Sequence, residues 1–315
     1  MSESFVCKEC GKSFSSERSL HSHFKVHGLR VVSYYQKHFP RYDLYDGKII
    51  KFKTKEDYFN REFNTRTNQR KWLESQKPEE SRKYLTGLIK KRIEEKNITV
   101  APCQVELRTL MAPSIIFYEK FFKDYYELCS SLGLEKRYIQ PKQTIVAKTY
   151  KNRKDLKVYV DTREQLPLKF NIPSESRALK FGDYALNDKS LTCNCYVERK
   201  TLADFISTIS VMNYDRFCRE IERAKEDDAQ LIVLVEESLS NALSFPFLPH
   251  ISKKIKATPE YIFHKVRGLI QKYDHVQFLF VDGRKEAVRV IEKIFFSECM
   301  HKKIDLQLAY DKKTL

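Results

Sequence analysis

A short apolar run that ends in three adjacent charged residues constrains this chain more than any other feature. The run is followed directly by Glu198, Arg199 and Lys200, and an amphipathic helix is predicted from residue 201. Charged residues of both signs are mostly excluded from protein cores, so packing alone does not explain three of them at a strand end. The pattern predicts a strand that presents a functional site at its carboxyl end.

Two aspartates upstream complete the predicted site. Asp183 follows a glycine fifteen residues before Glu198, and Asp161 ends an alternating apolar run. Carboxylate oxygens are preferred ligands of Mg²⁺, and a lysine beside them can offset charge that develops on a phosphate. Three acids and Lys200 therefore predict a site for divalent metal and phosphodiester hydrolysis.

The region from residue 156 onward predicts an α/β domain. Alternating and continuous apolar runs indicate strands, and apolar residues at helical spacing indicate the segments between them. This order implies a central sheet covered by helices, with the functional edge at the strand carboxyl ends. Strands are expected at 156–161, 178–186, 193–197, 231–235 and 276–281, and helices at 201–210, 214–226, 259–273 and 284–296.

The N-terminus has the ligand spacing of a two-Cys, two-His zinc finger. The ligands Cys7, Cys10, His23 and His27 are separated by two, twelve and three residues. Phe14 and Leu20 are predicted to pack beneath the metal. So short a segment cannot bury enough apolar surface to fold alone, so Zn²⁺ is expected to supply the missing free energy.

The helix of this finger offers little for reading bases. The positions that would contact bases are occupied by Ser16, Ser19 and Ser22, whose short side chains lack bidentate donors. We expect backbone or protein contact rather than sequence-specific binding. His21 breaks the ligand spacing and is expected to face solvent.

Charge indicates a polyanionic partner. The formal net charge is +16, and residues 28–150 contribute +10 of it. DNA fits this charge, and an anionic membrane surface would fit it too, but the sequence contains no apolar run long enough to span a bilayer and no signal-peptide pattern. The cysteines outside the finger have no zinc spacing, which favours a reducing intracellular compartment, either the cytoplasm or a eukaryotic nucleus.

The middle region leaves two interpretations open. Its aromatic and basic stretch either stacks bases and follows phosphates or forms the core and solvated face of a small domain. Helices are expected at 78–97, which carries the basic cluster Lys90, Lys91 and Arg92, and at 114–132, followed by a linker at 134–152. The stretch contains Tyr34, Tyr35, His38, Phe39, Arg41, Tyr42, Tyr45, Lys48, Lys51, Lys53 and Lys55.

The charged motifs together resemble the nuclease domain of XPF and Mus-type structure-specific endonucleases. That family is marked by Gly-Asp followed by Glu-Arg-Lys-x-x-x-Asp, which here begin at Gly182 and Glu198 and end at Asp204. The resemblance covers about residues 156–297. It implies a restriction-endonuclease-like core with a mixed central sheet and flanking helices, Mg²⁺ or Mn²⁺ dependence, cleavage of branched DNA, and a homodimer or heterodimer formed through the nuclease domain.

Roles for the charged residues follow from their chemistry. Asp183 and Glu198 are the expected metal ligands, with Asp161 as an outer or additional one, and Lys200 positions or activates water. Arg199 points to the opposite side of its strand and either orients carboxylates or contacts DNA.

Supporting roles are less sharply defined. The resemblance makes Arg163 and Glu164 a candidate pair behind the site. Asp204 either supports Arg199 or Lys200 or is an acid favoured by the helix N-terminus.

Three regions are therefore predicted: a ββα finger at 1–28, a basic middle region of uncharacterised fold at 29–150, and a nuclease domain at 151–315. The helix-hairpin-helix modules that follow the nuclease in eukaryotic relatives are not recognisable here, so DNA contact is assigned to the finger, the middle region or another subunit. The preferred hypothesis is a metal-dependent endonuclease acting in replication, recombination or repair. The alternative is a non-catalytic DNA-binding adaptor with the same fold.

Overall fold

A computed structural model of the chain describes residues 5–41, 49, 51–59, 66–109, 113–140, 156–186, 194–248, 251, 255–297 and 299–315. The chain forms two compact units, Met1–Lys77 and Pro78–Leu315. The division falls inside the predicted middle region, whose second half belongs to the larger unit. The boundaries proposed at residues 28 and 150 stay a prediction.

The small unit begins with the predicted ββα finger. Its core is formed by the buried side chains of Cys7, Leu20, Phe24 and Tyr34, and the rings of Phe24 and Tyr34 stack with centroids 3.8 Å apart. Because Tyr34 belongs to the next helix, the finger core continues beyond residue 28. The elements are β1 (Phe5–Val6), β2 (Ser13–Phe14), α1 (Glu17–His23), a 3₁₀ turn (Phe24–His27), α2 (Val31–His38), α3 (Lys55–Phe59) and α4 (Arg66–Ser75).

The larger unit begins with four helices and continues into an α/β domain. The helices are α5 (Pro78–Lys96), α6 (Gln104–Thr109), α7 (Ile115–Tyr118) and α8 (Tyr125–Ser131). The α/β part contains β3 (Val158–Asp161), β4 (Ser174–Arg177), β5 (Tyr184–Leu186), β6 (Cys195–Lys200), α9 (Leu202–Ile209), α10 (Val211–Glu226), β7 (Gln230–Val235), α11 (Leu239–Ala242), α12 (Pro259–Lys272), β8 (Val276–Phe280), α13 (Arg284–Phe295), α14 (Met300–Lys303) and α15 (Leu306–Asp311).

Six strands form one mixed sheet in the order β4-β3-β5-β6-β7-β8. Strand β3 is parallel to β4 and antiparallel to β5, β5 is antiparallel to β6, and β6, β7 and β8 are parallel. Residues 231–235 of β7 and all of β8 are buried, which is typical of parallel strands covered on both faces. The predicted mixed α/β fold is confirmed.

Helices cover the two faces of this sheet with different side chains. On one face, Ile232 and Leu234 of β7 share a core with Ile291 and Ile294 of α13. On the other, Phe205 of α9 makes ring contacts with α12 and β8. Strand residues alternate between faces, so neighbouring positions enter different cores. None of the described helices combines the length and apolar character needed to cross a bilayer.

Several predicted elements differ from the structure. Only Tyr184–Leu186 of the predicted strand 178–186 is a strand, and the short, fully exposed β4 was not predicted because its sequence is polar throughout. The predicted helix 114–132 is two short helices, since Asp124 caps α8 by accepting hydrogen bonds from the backbone of Tyr126 and Glu127. Helices α14 and α15 follow the helix expected to be last.

Helix α6 is tied to the end of the chain by polar contacts. The backbone N–H of Gln104 donates to Asp305 at 2.6 Å, its side chain donates to Asp311 at 2.6 Å, and Arg108 pairs with Asp311 at 2.8 Å. These partners are about 200 positions apart in sequence. This network makes residues 104–109 and 305–311 parts of one folded unit.

Candidate active site and zinc-binding cluster

Strand pairing brings the predicted acids together at one end of the neighbouring strands β3, β5 and β6. The N–H of Asp183 donates to the carbonyl of Val197 at 2.8 Å, and the N–H of Asp161 donates to the carbonyl of Asp183 at 2.8 Å. Gly182 has a φ of +67°, and a Cβ there would lie 3.1 Å from the carbonyl oxygen of Val197. Glycine is therefore required both for this left-handed conformation and for the close approach of the two strands.

Two neighbouring cavities, each of about 230 Å³, adjoin these acids. Glu198, Arg216 and Glu220 line both of them. The other residues lining the first are Asp161, Arg163, Lys180, Gly182, Asp183 and Arg223, and those lining the second are Lys200, Thr208, Asn213 and Phe217. We call these two cavities together the acidic cleft.

A larger cavity of about 570 Å³ lies elsewhere, near the end of β8, and contains none of the predicted site residues. Its charged groups are largely paired with one another, as in Arg108 with Asp311 and Arg289 with Glu286. The acidic cleft is therefore the better candidate for chemistry, although its cavities are smaller.

Asp183 and Glu198 are partly buried carboxyl groups that repel each other. Burial, followed by the charge of Glu198, raises the pKa of Asp183 to about 7. Burial also raises the pKa of Glu198, Lys200 opposes that shift, and the charge of Glu220 adds to it. Both carboxyl groups are thus destabilised as anions, and a bound cation would relieve the repulsion.

Lys200 lies beside the acids as predicted. Its Nζ is 2.7 Å from Oε1 of Glu198, and their side chains are only 12% and 15% exposed. Its ammonium also lies 5.7 Å from the centre of the Phe217 ring on α10. The amine is therefore held at the wall of the cleft by one strand neighbour and one aromatic ring.

Asp161 lines the cleft, but both of its oxygens already accept hydrogen bonds. Oδ1 accepts from the backbone and Nε of Arg163 at 2.8 and 2.7 Å, and Oδ2 accepts from the backbone of Leu179 at 2.7 Å. Burial raises the pKa of Asp161, but these hydrogen bonds outweigh it and hold the pKa below its ordinary value. Asp161 is thus a fixed anion that anchors Arg163 and the loop before β5.

Arg199 occupies the opposite side of β6, as the strand pattern predicts. Its guanidinium, 10% exposed, donates to Glu164 at 3.1 Å and to Glu236 at 3.0 Å. Its backbone N–H donates to Asp183 at 2.7 Å, so this residue supports one of the acids directly. Arg163 and Glu164, which were predicted as a pair, bind different partners. Arg163 forms an ion pair with Asp161, and Glu164 forms one with Arg199.

Asp204 is held within its own helix turn. Its carboxylate accepts from the hydroxyl of Thr201 at 2.6 Å, and its N–H donates to the same hydroxyl at 3.2 Å. The described part of the chain shows no hydrogen bond from Asp204 to Arg199 or Lys200. Of the two predicted interpretations, the geometry favours the acid of a helix N-terminus.

Glu220 and Arg216 are cleft residues that the sequence analysis did not identify. They lie four positions apart on α10 and therefore on one helix face. The N–H of Gly182 donates to Oε1 of Glu220 at 3.4 Å, which brings the helix next to the loop that carries Asp183. Polar residues at helical spacing on α10, the second helix after the Glu-Arg-Lys motif, were the signal available for finding them.

The N-terminal ligands converge as predicted. Sγ of Cys7 is 3.6 Å from Nε2 of His27, Sγ of Cys10 is 3.2 Å from Nε2 of His23, and the two Nε2 atoms are 3.1 Å apart. Four ligands around tetrahedral Zn²⁺ would be separated by about 3.3 to 3.8 Å, and the three observed distances lie within this range or slightly below it, so the four side chains can surround one such ion. Among the described residues, these four form the only metal-ligand group of three or more side chains with all ligand atoms within 4.8 Å.

The surroundings of the finger helix correct one expectation. His21 does not face solvent, because Tyr35 of α2 covers it and its Nε2 is hydrogen-bonded to the Tyr35 hydroxyl at 3.0 Å. All three serines at base-reading positions form local hydrogen bonds: Ser16 caps α1 through the N–H of Ser19, the hydroxyls of Ser16 and Ser19 are 2.9 Å apart, and Ser22 donates to the carbonyl of Arg18 at 3.0 Å. That the finger does not read sequence stays a prediction.

The six-stranded mixed sheet and its flanking helices form an α/β domain that carries the acidic cleft. Residues 160–294 match the ERCC4 domain family. This part of the chain is therefore similar to ERCC4 domains, and the predicted resemblance to XPF and Mus-type nucleases is confirmed. Comparison with curated proteins gives no match.

Two solved structures of XPF from Aeropyrum pernix, one in complex with DNA, are similar to the chain. Each is 20% identical with a TM-score of 0.33. The first alignment covers 44% of this chain and 64% of that one, and the alignment with the DNA complex covers 50% and 66%. The chain thus spans just under two thirds of the length of these structures.

The raised pKa of Asp183 predicts a pH dependence of stability. Its carboxyl group binds a proton more tightly when folded, at a pKa of about 7, than in the unfolded chain, at about 3.9. Stability without magnesium should therefore fall as pH rises from about 4 to about 7, by on the order of 3 kcal/mol. Asp183→Asn should reduce this loss and stabilise the protein at pH 8. Denaturant unfolding at pH 5 and pH 8 measures the free energy of unfolding of both proteins. An equal change in this free energy between the two pH values in wild type and variant would contradict the prediction.

Proposed function

We propose that the protein is a metal-dependent DNA endonuclease. The observation that carries the proposal is the convergence of Asp183, Glu198 and Lys200 at the edge of the cleft in a domain that matches the ERCC4 family. Two partly buried carboxyl groups that repel each other, an adjacent amine and an open cavity are suited to phosphodiester hydrolysis.

The cleft is proposed to hold a divalent metal. Asp183 and Glu198 would supply hard oxygen ligands, and their raised pKa values support this proposal because a nearby cation would stabilise both anions. Glu220 lies close enough to raise the pKa of Glu198 and is our candidate for a further carboxylate. Mg²⁺ or Mn²⁺ bound there would polarise the phosphate and lower the pKa of a bound water.

The other residues of the cleft support this chemistry through contacts already present. Lys200 is held by Glu198 where its amine can neutralise charge on a phosphate oxygen or orient water. Asp161 fixes Arg163, whose side chain is 71% exposed and free to meet a phosphate. Arg199 positions Asp183 through its backbone and locks Glu164 and Glu236 behind the sheet.

The substrate is proposed to be branched DNA, such as a flap, fork or junction, in replication, recombination or repair. Zn²⁺ is proposed for the four-ligand cluster, which would have a structural role. We retain as proposals the division at residues 28 and 150, dimerisation through the nuclease domain, and an intracellular location.

A substrate panel tests the function. The protein is incubated with MgCl₂ or MnCl₂ and end-labelled duplex, single-stranded, flap, fork and four-way junction DNA of equal length. We expect metal-dependent cutting, fastest on the branched substrates, and none in EDTA. Equal rates on all substrates would remove branch selectivity. Tight DNA binding without cutting under any metal would instead support the non-catalytic adaptor.

A further inference from the structure

The two edges of the six-stranded sheet differ in how their backbone groups are satisfied. At β8, the side-chain amide of Gln307 accepts from the N–H of Phe280 at 2.8 Å and donates to its carbonyl at 3.3 Å, so α15 supplies partners to that edge. At the opposite edge, residues 173–178 are all exposed, and β4 pairs with β3 and with no second strand in the described part of the chain. Strand β4 is therefore an open edge.

The outward side of β4 is formed by the backbone of Ser174 and Ser176. The N–H of Val158 donates to the carbonyl of Pro173 at 3.0 Å, which places the backbone groups of Pro173 on the side of β4 that bonds to β3. These groups alternate along a strand, so those of Ser174 and Ser176 point away from β3. A row of unpaired N–H and C=O groups is a template for a further strand.

The charged side chains of β4 are held at this edge and reach solvent. Glu175 and Arg177 are two positions apart, so they lie on one face of the sheet, and both are exposed. Glu175 lies 3.0 Å from Lys157, and the guanidinium of Arg177 lies 4.8 Å from the centre of the Tyr159 ring. Each strand edge thus carries one negative and one positive group at a fixed separation.

These charges suit pairing with β4 of a second copy in one register. In an antiparallel pair centred on Ser176, the two copies of Ser176 exchange backbone hydrogen bonds. Glu175 of each copy then faces Arg177 of the other at the non-hydrogen-bonded positions, where side chains approach most closely. Centring the pair one residue earlier or later would oppose two glutamates or two arginines, which is destabilising. Charges on a short edge strand usually oppose pairing, and here they oppose the neighbouring registers.

We propose that the chain forms a homodimer by antiparallel pairing of β4 with β4 of a second copy, centred on Ser176. The inference rests on the proposed dimerisation through the nuclease domain and specifies its surface, and it does not require the chain to cut DNA. The two-fold axis of such a pair is perpendicular to the sheet. The acidic clefts of both copies would therefore open on the same side of one continuous sheet.

The dimer is expected to be weak. Four residues from each chain bury far less than the roughly 1,000 Å² of a stable interface, so we expect a Kd on the order of 10⁻⁵ M or weaker. Sedimentation velocity of the full chain over a series of concentrations measures this constant. The expected result is a reversible equilibrium between monomer and dimer.

Charge reversal tests the register. Glu175→Arg and Arg177→Glu each place like charges opposite each other twice, so either variant alone should lose about 10-fold or more in dimer affinity. An equimolar mixture of the two variants restores opposite charges at both positions and should form heterodimers with about the wild-type affinity. The chain that carries both substitutions should regain self-association for the same reason.

Two further variants complete the comparison. Glu95→Arg makes the same charge change at an exposed ion pair on α5, where Lys91 lies 3.7 Å from Glu95, and should alter dimer affinity less than about two-fold. Ser176→Pro removes an outward N–H without removing a bond to β3, as proline can at an edge strand, and should weaken the dimer. Thermal unfolding of each variant verifies that it is folded.

The outcomes separate this inference from the proposed function. A dimer whose affinity is unchanged in every β4 variant would overturn the assignment of β4 and leave dimerisation to another surface. A chain that stays monomeric at all concentrations would overturn both. Equal weakening by Glu95→Arg, or failure of the two single variants to associate when mixed, would also reject the register. Cleavage is measured independently with the substrate panel, so an inactive protein that forms this dimer would lose only the endonuclease proposal.

Discussion

Asp183→Asn is expected to lower the rate of DNA cleavage by about 10³-fold or more while leaving the fold and DNA binding intact. The variant keeps the size of the side chain and an oxygen that accepts from the N–H of Arg199, but it loses the charge that would hold a metal. Single-turnover cleavage with saturating protein measures the chemical step. Replacing the partly buried Asp183 removes a negative charge near the DNA, so DNA binding should not weaken.

The control for this variant is Asp215→Asn. Asp215 is an exposed acid on α10 that does not line the cleft, so its loss should change the rate less than about two-fold. Glu220→Gln should lower the cleavage rate by about 10- to 100-fold, an effect between those of Asp215→Asn and Asp183→Asn. A higher metal concentration should partly restore the rate. Cleavage by Asp183→Asn at the wild-type rate would refute the assignment of the cleft as the active site.

Removal of the zinc proposed for the N-terminal finger is expected to unfold the finger and leave the larger unit intact. Within the described residues, the finger core has four buried side chains, Cys7, Leu20, Phe24 and Tyr34. Apparent zinc-binding free energies of finger peptides are roughly 10–16 kcal/mol at pH 7, which exceeds what so small a core can supply. After chelation, or in Cys10→Ser, backbone amides of the finger should exchange rapidly with deuterium while those of β7 stay protected.

Cys218→Ser provides the comparison for the zinc experiment. Cys218 is a half-buried free cysteine on α10, distant in sequence from the finger, and its replacement should leave exchange in residues 5–41 unchanged. Readdition of Zn²⁺ should restore protection to the chelated wild-type protein but not to Cys10→Ser. Protection of the finger that survives chelation would show that its fold does not depend on metal.

Much of the fold was predictable because its signals are local. The apolar runs of β7 and β8 and the helical spacing of α9, α10, α12 and α13 placed each element to within a few residues. The strand β4 escaped prediction because Ser174–Arg177 has no apolar residue to pack. The break at Asp124 was missed because a capping interaction overrode a continuous apolar spacing.

The sequence by itself determined the zinc-ligand set and the common face of Glu198 and Lys200, and the resemblance to XPF and Mus-type nucleases added Asp183 to them. Ligand spacing and strand alternation are properties of neighbouring residues, so they do not require the folded chain. Only the tertiary structure decided that Asp161 pairs with Arg163 and that Glu220 enters the cleft. Those outcomes depend on contacts between elements whose mutual approach is set by packing of the whole unit, and no local pattern in the sequence carries that information.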